Sequence, residues 1–246
     1  MDNKKSYKAI ILILASNNNN IYNNCRKVWK KYMHINKNIG IFFIYGKLSE
    51  VLEDYDNETD FIFDDIPESY PVYIHKTIRA FEILNKKYNF DYLVRTNLTT
   101  FWDLNKLEIN LEKLPKEKCY YGDGPLPTYD YKGYYVSGTD TIVSRDLICK
   151  ILENKEKIDY TNKNPEDATM GLFFHVYLKT PIIISKMCFY EDIQNYKLEY
   201  SKINNRFIEA IKNNIDHYRV KNKINREYND LFIYRFLLKK IYNIDY

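Results

Sequence analysis

At 246 residues and 29.7 kDa, with 45% hydrophobic and 16% aromatic residues, the chain can close a substantial core around one globular domain, which excludes a disordered or fibrous protein. Its 37 basic and 33 acidic residues leave a net charge of +4, a mixed surface that does not point to nucleic acid and only mildly favours an anionic ligand. Cys25, Cys119, Cys149 and Cys188 are widely spaced and form no CxxC pair, so buried free thiols are expected rather than a disulfide framework or a zinc site.

In chain order, Lys8 to Ala15 is a short continuous apolar run, which predicts a strand buried on both faces. The run is too short to span a bilayer, and Ser16 and four asparagines follow it instead of a cleavage site, so a soluble cytoplasmic protein is expected. Tyr22 to Met33 reads as a helix carrying Val28, Trp29 and Tyr32 on one face. Gly40 to Tyr45 is a second buried strand and Phe61 to Phe63 a third, ending in Asp64-Asp65. Val72 to Tyr88 has helical spacing of Ile74, Ile78, Phe81 and Leu84, and Asp91 to Val94 is the strand that delivers Arg95-Thr96-Asn97.

After Leu114, Gly122, Gly124, Pro125, Pro127 and Gly133 mark a loop-rich, tyrosine-dense segment, followed by a turn at Ser137-Gly138-Thr139. Ser144 is the expected cap of a helix through Leu152. Asn164-Pro165-Glu166-Asp167 reads as a second helix start, with Asn as cap, Pro at the first position and acids in the first turn. Ile182 to Ser185 is a late strand. From about Lys197 the chain is basic and amphipathic, with Phe207, Ile211, Ile215 and Tyr218 on one helical face and Leu231, Tyr234, Leu238 and Ile241 on another. The expected organisation is a domain over residues 1–196 and a helical C-terminal extension over 197–246. Its helices pack on the domain, with a homodimer interface or attachment to an acidic membrane surface as the alternatives. Strand–helix alternation implies an α/β sandwich with a mixed, mostly parallel sheet flanked by helices. Ligands in such sheets sit at the carboxyl ends of the strands, which groups Ser16-Asn17, Asp64-Asp65 and Thr96-Asn97.

Four stretches carry a resemblance in a common order. "NNCRKVWKKY" contains Arg26 and Trp29; "FIFDDIPESYPVYIHKTIRAFEIL" contains Asp65, Tyr70, Lys76 and Thr77; "YYVSGTDTIVSRDLICKIL" contains Gly138; "PEDATMGLFF" contains Glu166, Asp167 and Gly171. Together they resemble glycosyltransferase family 31, the β-1,3-galactosyl- and N-acetylglucosaminyltransferases with the Fringe proteins nearby, over about Lys8 to Pro181. The resemblance implies a GT-A-type fold and an inverting transfer of a sugar from a nucleoside-diphosphate donor, expected to be a UDP-sugar, to a glycan hydroxyl. An AT-rich codon bias in Asn, Lys, Ile and Tyr fits a bacterium or large DNA virus that builds its own surface glycans.

The departure from that family lies at Asn97-Leu98-Thr99, where its members carry an acidic DxD motif that holds a divalent cation against the donor diphosphate. Divalent Mg²⁺ and Mn²⁺ prefer charged oxygen ligands, so Asn97 would hold such an ion only weakly. Arg95 is expected to meet the diphosphate directly, because a guanidinium pairs bidentately with phosphate. The resemblance makes Asp167 the general base, with Glu166 as its substitute. Ser16, Asn17, Arg26, Asp65, Lys76, Arg95, Thr96, Asn97, Thr99 and Gly138 are the expected donor-binding residues. The tyrosines between Tyr120 and Tyr135 offer aromatic faces to an acceptor sugar. The alternative readings are a GT-A-shaped glycan- or nucleotide-binding protein without turnover, and a nucleic-acid module using the basic tail.

Overall fold

A computed structural model describes residues 4–69, 73–161, 164–190, 203 and 205–246. The apolar run at the start becomes β1 (Lys5–Leu14), an interior strand of a seven-stranded sheet. It pairs in parallel with β2 (Ile39–Lys47) on one side and with β4 (Tyr88–Asn97) on the other, and β3 (Asp60–Pro67) continues in parallel beyond β2. Past β4 the direction reverses. β9 (Asp140–Ser144) is antiparallel to β4, β6 (Tyr120–Gly122) is antiparallel to β9, and β10 (Ile182–Ile184) is parallel to β6 at the far edge.

Alternation along β1 decides the two cores. Ala9, Ile11 and Ile13 point to one face, where they meet α1 (Asn20–Tyr32), α3 (Leu104–Leu111) and α7 (Arg226–Leu237). Ile10 and Leu12 point to the other, against α2 (Tyr73–Lys87), α4 (Arg145–Glu153) and α5 (Glu166–Gly171) with the π-turn Leu172–Tyr177 that prolongs it. A strand covered on both faces has no polar side, which is why the stretch of β1 from Ala9 to Leu14 is uniformly apolar while the exposed start carries Lys5 and Ser6. The mixed, mostly parallel sheet between helices is the α/β architecture expected from the sequence.

Local details differ from expectation for physical reasons. β3 runs on through Asp64-Asp65 to Pro67, so those carboxylates lie along an edge strand and not at its tip. Helix α1 begins earlier because Asn19, in the asparagine tract, caps it by accepting from the Tyr22 N–H at 3.0 Å. Asn164 does not cap α5; Pro165 holds that position and the Asn164 side chain accepts from the Tyr129 N–H at 3.0 Å. Ser144 stands before α4 without capping it, its hydroxyl being turned to Asp146 and to the Cys119 N–H. Cys25, Cys119, Cys149 and Cys188 form no disulfide among the described residues.

The tail is more than two helices. After α6 (Asn205–Lys212) the chain turns at Asn213-Asn214 and forms β12 (His217–Val220). β12 is antiparallel to β5 (Thr100–Trp102) and parallel to β11 (Cys188–Tyr190), making a second, three-stranded sheet. Tyr218, expected on a helical face, therefore belongs to a strand. Its neighbours Phe207, Val220, Ile233, Tyr234 and Leu237 join the same core as Trp29 and Phe101, so the tail completes one face of the domain. The 196/197 boundary and Tyr70 lie outside the described residues. No helix among the described residues is long and apolar enough to cross a membrane.

Arg26, expected near the nucleotide, has a structural role. Its Nη1 and Nη2 donate to the two Asp60 oxygens at 2.8 Å each, Nε donates to Asp54 Oδ1 at 2.9 Å, and Nη1 also reaches the Tyr45 hydroxyl at 2.7 Å. Arg26 and Asp60 are both buried, and removing Arg26 leaves the Asp60 carboxylate only the more distant Lys30 ammonium, 3.7 Å away, as a counter-charge. Arg26→Met is expected to lower the unfolding free energy by about 3 kcal/mol in urea titrations, whereas a nucleotide-binding role would lower ligand affinity with stability intact.

Candidate active site

The carboxyl ends of β1 and β4 open onto a cleft of about 360 Å³. Its floor is the opening that follows β4. Leu98 is buried there, and the Trp29 indole donates to its carbonyl at 3.0 Å, so helix α1 pins the turn from below. With Leu98 directed inward, Asn97 and Thr99 on either side face the cleft. Thr96 lies beneath it: its hydroxyl donates to the Thr139 carbonyl at 2.6 Å and accepts from the Trp102 indole at 3.1 Å, so it positions the loop and does not line the cleft.

Arg95 is only 5% exposed, and four of its five guanidinium donors are engaged. Nε and Nη2 donate to the two oxygens of Glu166, at 3.2 Å and 2.5 Å; Nη1 donates to Asn97 Oδ1 at 3.0 Å and to the Gly138 carbonyl. Glu166 also accepts from the Thr77 hydroxyl at 2.9 Å. A Cβ on Gly138 would collide with the Arg95 guanidinium, so the loop comes this close with glycine there. Arg95 is thus consumed by a buried carboxylate and is not left for a diphosphate, and Glu166, 3% exposed, is not left to act as a base. Lys76 is likewise occupied: Nζ reaches the two Glu68 oxygens at 2.7 and 2.9 Å and the Ala15 carbonyl at 3.3 Å. Burial pushes the Lys76 ammonium pKa down, and Glu68 only partly offsets this.

With these two ion pairs matched, two charges on the cleft wall have no ionic partner among the described residues. One is Asp167, half-buried in the first turn of α5; its Oδ2 accepts from the Gly138 N–H at 2.9 Å and its Oδ1 from the Ala168 N–H at 3.0 Å. The other is Arg219 of β12, whose Nη1 donates to the Thr99 hydroxyl. Sequence reading missed Arg219, because it treated residues 207–218 as helical and gave the following positions no role. The available signal was a cation set between Tyr218 and Val220, both fully buried.

Of the expected donor-binding residues, Ser16, Lys76, Arg95, Asn97, Thr99 and Gly138 line the cleft. Asn17 does not; its amide donates to the Glu50 carbonyl at 2.9 Å. Asp65 is also outside, on the surface and paired with Arg79 at 2.6 Å, which holds its carboxyl below the ordinary value. Arg26 lies away from the cleft in its buried pair with Asp60. The donor set at the replaced DxD motif does not fit a divalent cation. Asn97 Oδ1 already accepts from Arg95, and the Thr99 hydroxyl already accepts from Arg219, so both candidate ligands are neutral oxygens facing guanidinium groups. No group of three or more His, Cys, Asp or Glu among the described residues could hold a metal ion.

Behind the cleft a buried cluster locks the two sheets together. His217 Nδ1 lies 2.6 Å from Asp216 Oδ1, and its Nε2 forms an ion pair with Asp140 Oδ2 at 3.1 Å, without an aligned hydrogen bond. Trp102 stacks on the imidazole with ring centroids 4.5 Å apart. Asp140 also accepts from the Ser185 hydroxyl at 2.5 Å. Asp140 follows the Ser137–Thr139 loop and His217 lies two residues before Arg219, so this cluster fixes both walls. Tyr129 and Tyr135 line the cleft, and Tyr131 and Tyr134 on the same hairpin, β7 (Leu126–Pro127) and β8 (Tyr134–Tyr135), are exposed.

No family profile and no curated protein matches the sequence. Among solved structures, the chain is similar to a glycosyltransferase involved in the glycosylation of the major capsid of PBCV-1, with a TM-score of 0.50 at 12% identity over 92% of this chain and 98% of that one. The two chains therefore share a mixed α/β fold with a mostly parallel sheet between helices.

Burial by itself would lower the His217 pKa, but the Asp140 and Asp216 carboxylates more than reverse this and raise it from 6.5 to about 9. A raised pKa contributes stability that is complete below about pH 6.5 and is lost as pH rises through about 9. Wild-type unfolding free energy is expected to fall across that window by on the order of 3 kcal/mol, and His217→Gln to lose most of that slope, as read by urea titrations at stepped pH.

Proposed function

We propose that the chain is an inverting glycosyltransferase that moves a sugar from a nucleoside-diphosphate donor, a UDP-sugar first among them, to a glycan hydroxyl. The observation that carries this reading is Asp167: a cleft carboxylate with no cation on it among the described residues, held by two backbone N–H groups beside the Ser137–Thr139 loop. In the reaction the acceptor oxygen attacks the anomeric carbon, Asp167 takes the proton from that oxygen, and the bond to the diphosphate breaks with its electron pair leaving on the nucleotide. A base on one side and a leaving group on the other invert the anomeric centre.

Other features of the cleft support the assignment. Ser16, Asn97 and Thr99 offer hydroxyl and amide groups at the strand ends, where α/β proteins hold nucleotides. Tyr129 is 63% exposed and Tyr131 85%, and their flat faces suit the CH surface of an acceptor sugar at the mouth. The glycosyltransferase fold and the ordered likeness to family 31 around Gly138 and Asp167 point the same way.

A panel of nucleotide sugars tests the proposal, with hydrolysis and transfer measured for wild type and Asp167→Asn. The substitution keeps size and leaves one oxygen to accept from a backbone N–H, but it removes the base and the second acceptor, so turnover is expected to drop by about 10²-fold or more while donor affinity holds. Wild-type rates no higher than those without protein would exclude turnover and leave a nucleotide- or glycan-binding role.

A further inference from the structure

We infer that Arg219 is the counter-charge for the donor diphosphate, so that a guanidinium from the C-terminal strand does the work of a divalent cation. This rests on the proposed glycosyl transfer and names how its donor is held. The cleft contains the cations Lys76, Arg95 and Arg219. Glu68 neutralises the first and Glu166 the second, each through two carboxylate oxygens. Arg219 has a hydroxyl partner, Thr99, and no carboxylate partner among the described residues.

A guanidinium carries five donors in a rigid fork, and Thr99 uses part of one edge. Withdrawing such a group from water without an opposite charge is unfavourable, and burial pushes the Arg219 pKa below its ordinary value, with Arg226 adding to the effect. A diphosphate would supply the missing charge and accept from the open part of the fork. The position suits this role. β12 pairs with β5 so that Arg219 lies opposite Thr100, beside the Asn97-Leu98-Thr99 turn. Asp167 lies on the other side of that turn, reached through Gly138 and Arg95. The cation is thus separated from the base by the floor on which a donor sugar would rest. The same bond occupies the Thr99 hydroxyl, a neutral oxygen that would otherwise be open to a metal ion.

Calorimetric binding of UDP, uridine and pyrophosphate to the full chain, with EDTA present, tests this. Wild type is expected to bind UDP and pyrophosphate without added metal, and Arg219→Gln to weaken both by about tenfold or more, the scale of one lost charge-assisted contact, with uridine unaffected. Arg219→Lys is expected to recover part of the loss. A requirement for Mn²⁺, or unchanged UDP affinity in Arg219→Gln, overturns the inference while leaving the glycosyltransferase reading in place; wild type that binds neither UDP nor GDP, with or without metal, removes both. Should Arg219→Gln not fold, phenylglyoxal labelling of wild type with peptide mapping decides: Arg219 is expected to be shielded by UDP and pyrophosphate but not by uridine, and equal labelling in all three overturns the inference.

Discussion

The site depends on the buried pair of Arg95 and Glu166. Removing two such charges from water is unfavourable unless the remaining donors and acceptors are met, and here Thr77, Asn97 and the Gly138 carbonyl meet them. The pair therefore ties together the end of β4, the Ser137–Thr139 loop and the first turn of α5. Each tie has a consequence for Asp167, the residue next to Glu166. The Gly138 N–H that holds Asp167 belongs to the residue whose carbonyl Arg95 holds, so one peptide segment connects the ion pair to the proposed base.

Charge matching describes the cleft around residues 97–99. Two cations of the cleft are paired internally, which leaves one carboxylate and one guanidinium without ionic partners among the described residues, on either side of the Asn97-Leu98-Thr99 turn. Two further carboxylates at that turn would compete with Glu166 for Arg95 and would draw Arg219 into a permanent ion pair. Neutral oxygens avoid both. The C-terminal strand is then part of the site, and the Asp216–His217–Asp140 cluster that anchors it to the main sheet is part of what shapes the cleft.

Strand and helix positions were largely legible because they depend on local pattern. The uniform apolar run at β1, the spacing of Ile74, Ile78, Phe81 and Leu84, and the acids in the first turn of α5 each state their environment within a few residues. The motif likeness located the cleft residues Asn97, Gly138 and Asp167 for the same reason. It did not say which charged residues were free. Arg26 and Arg95 look alike as sequence, and only Asp60, 34 residues from the first, and Glu166, 71 residues from the second, reveal that both are spoken for.

The sequence by itself determined the α/β class, the buried strand β1 and the placing of Ser16 and Asn97 at strand ends, because periodicity and turn chemistry act over short distances. The tertiary structure decided the charge state of the cleft, because each partner arrives from a distant part of the chain. It also turned residues 217–220 into a strand, since the open edge of β5 offers hydrogen bonds that no helical periodicity in the tail could announce.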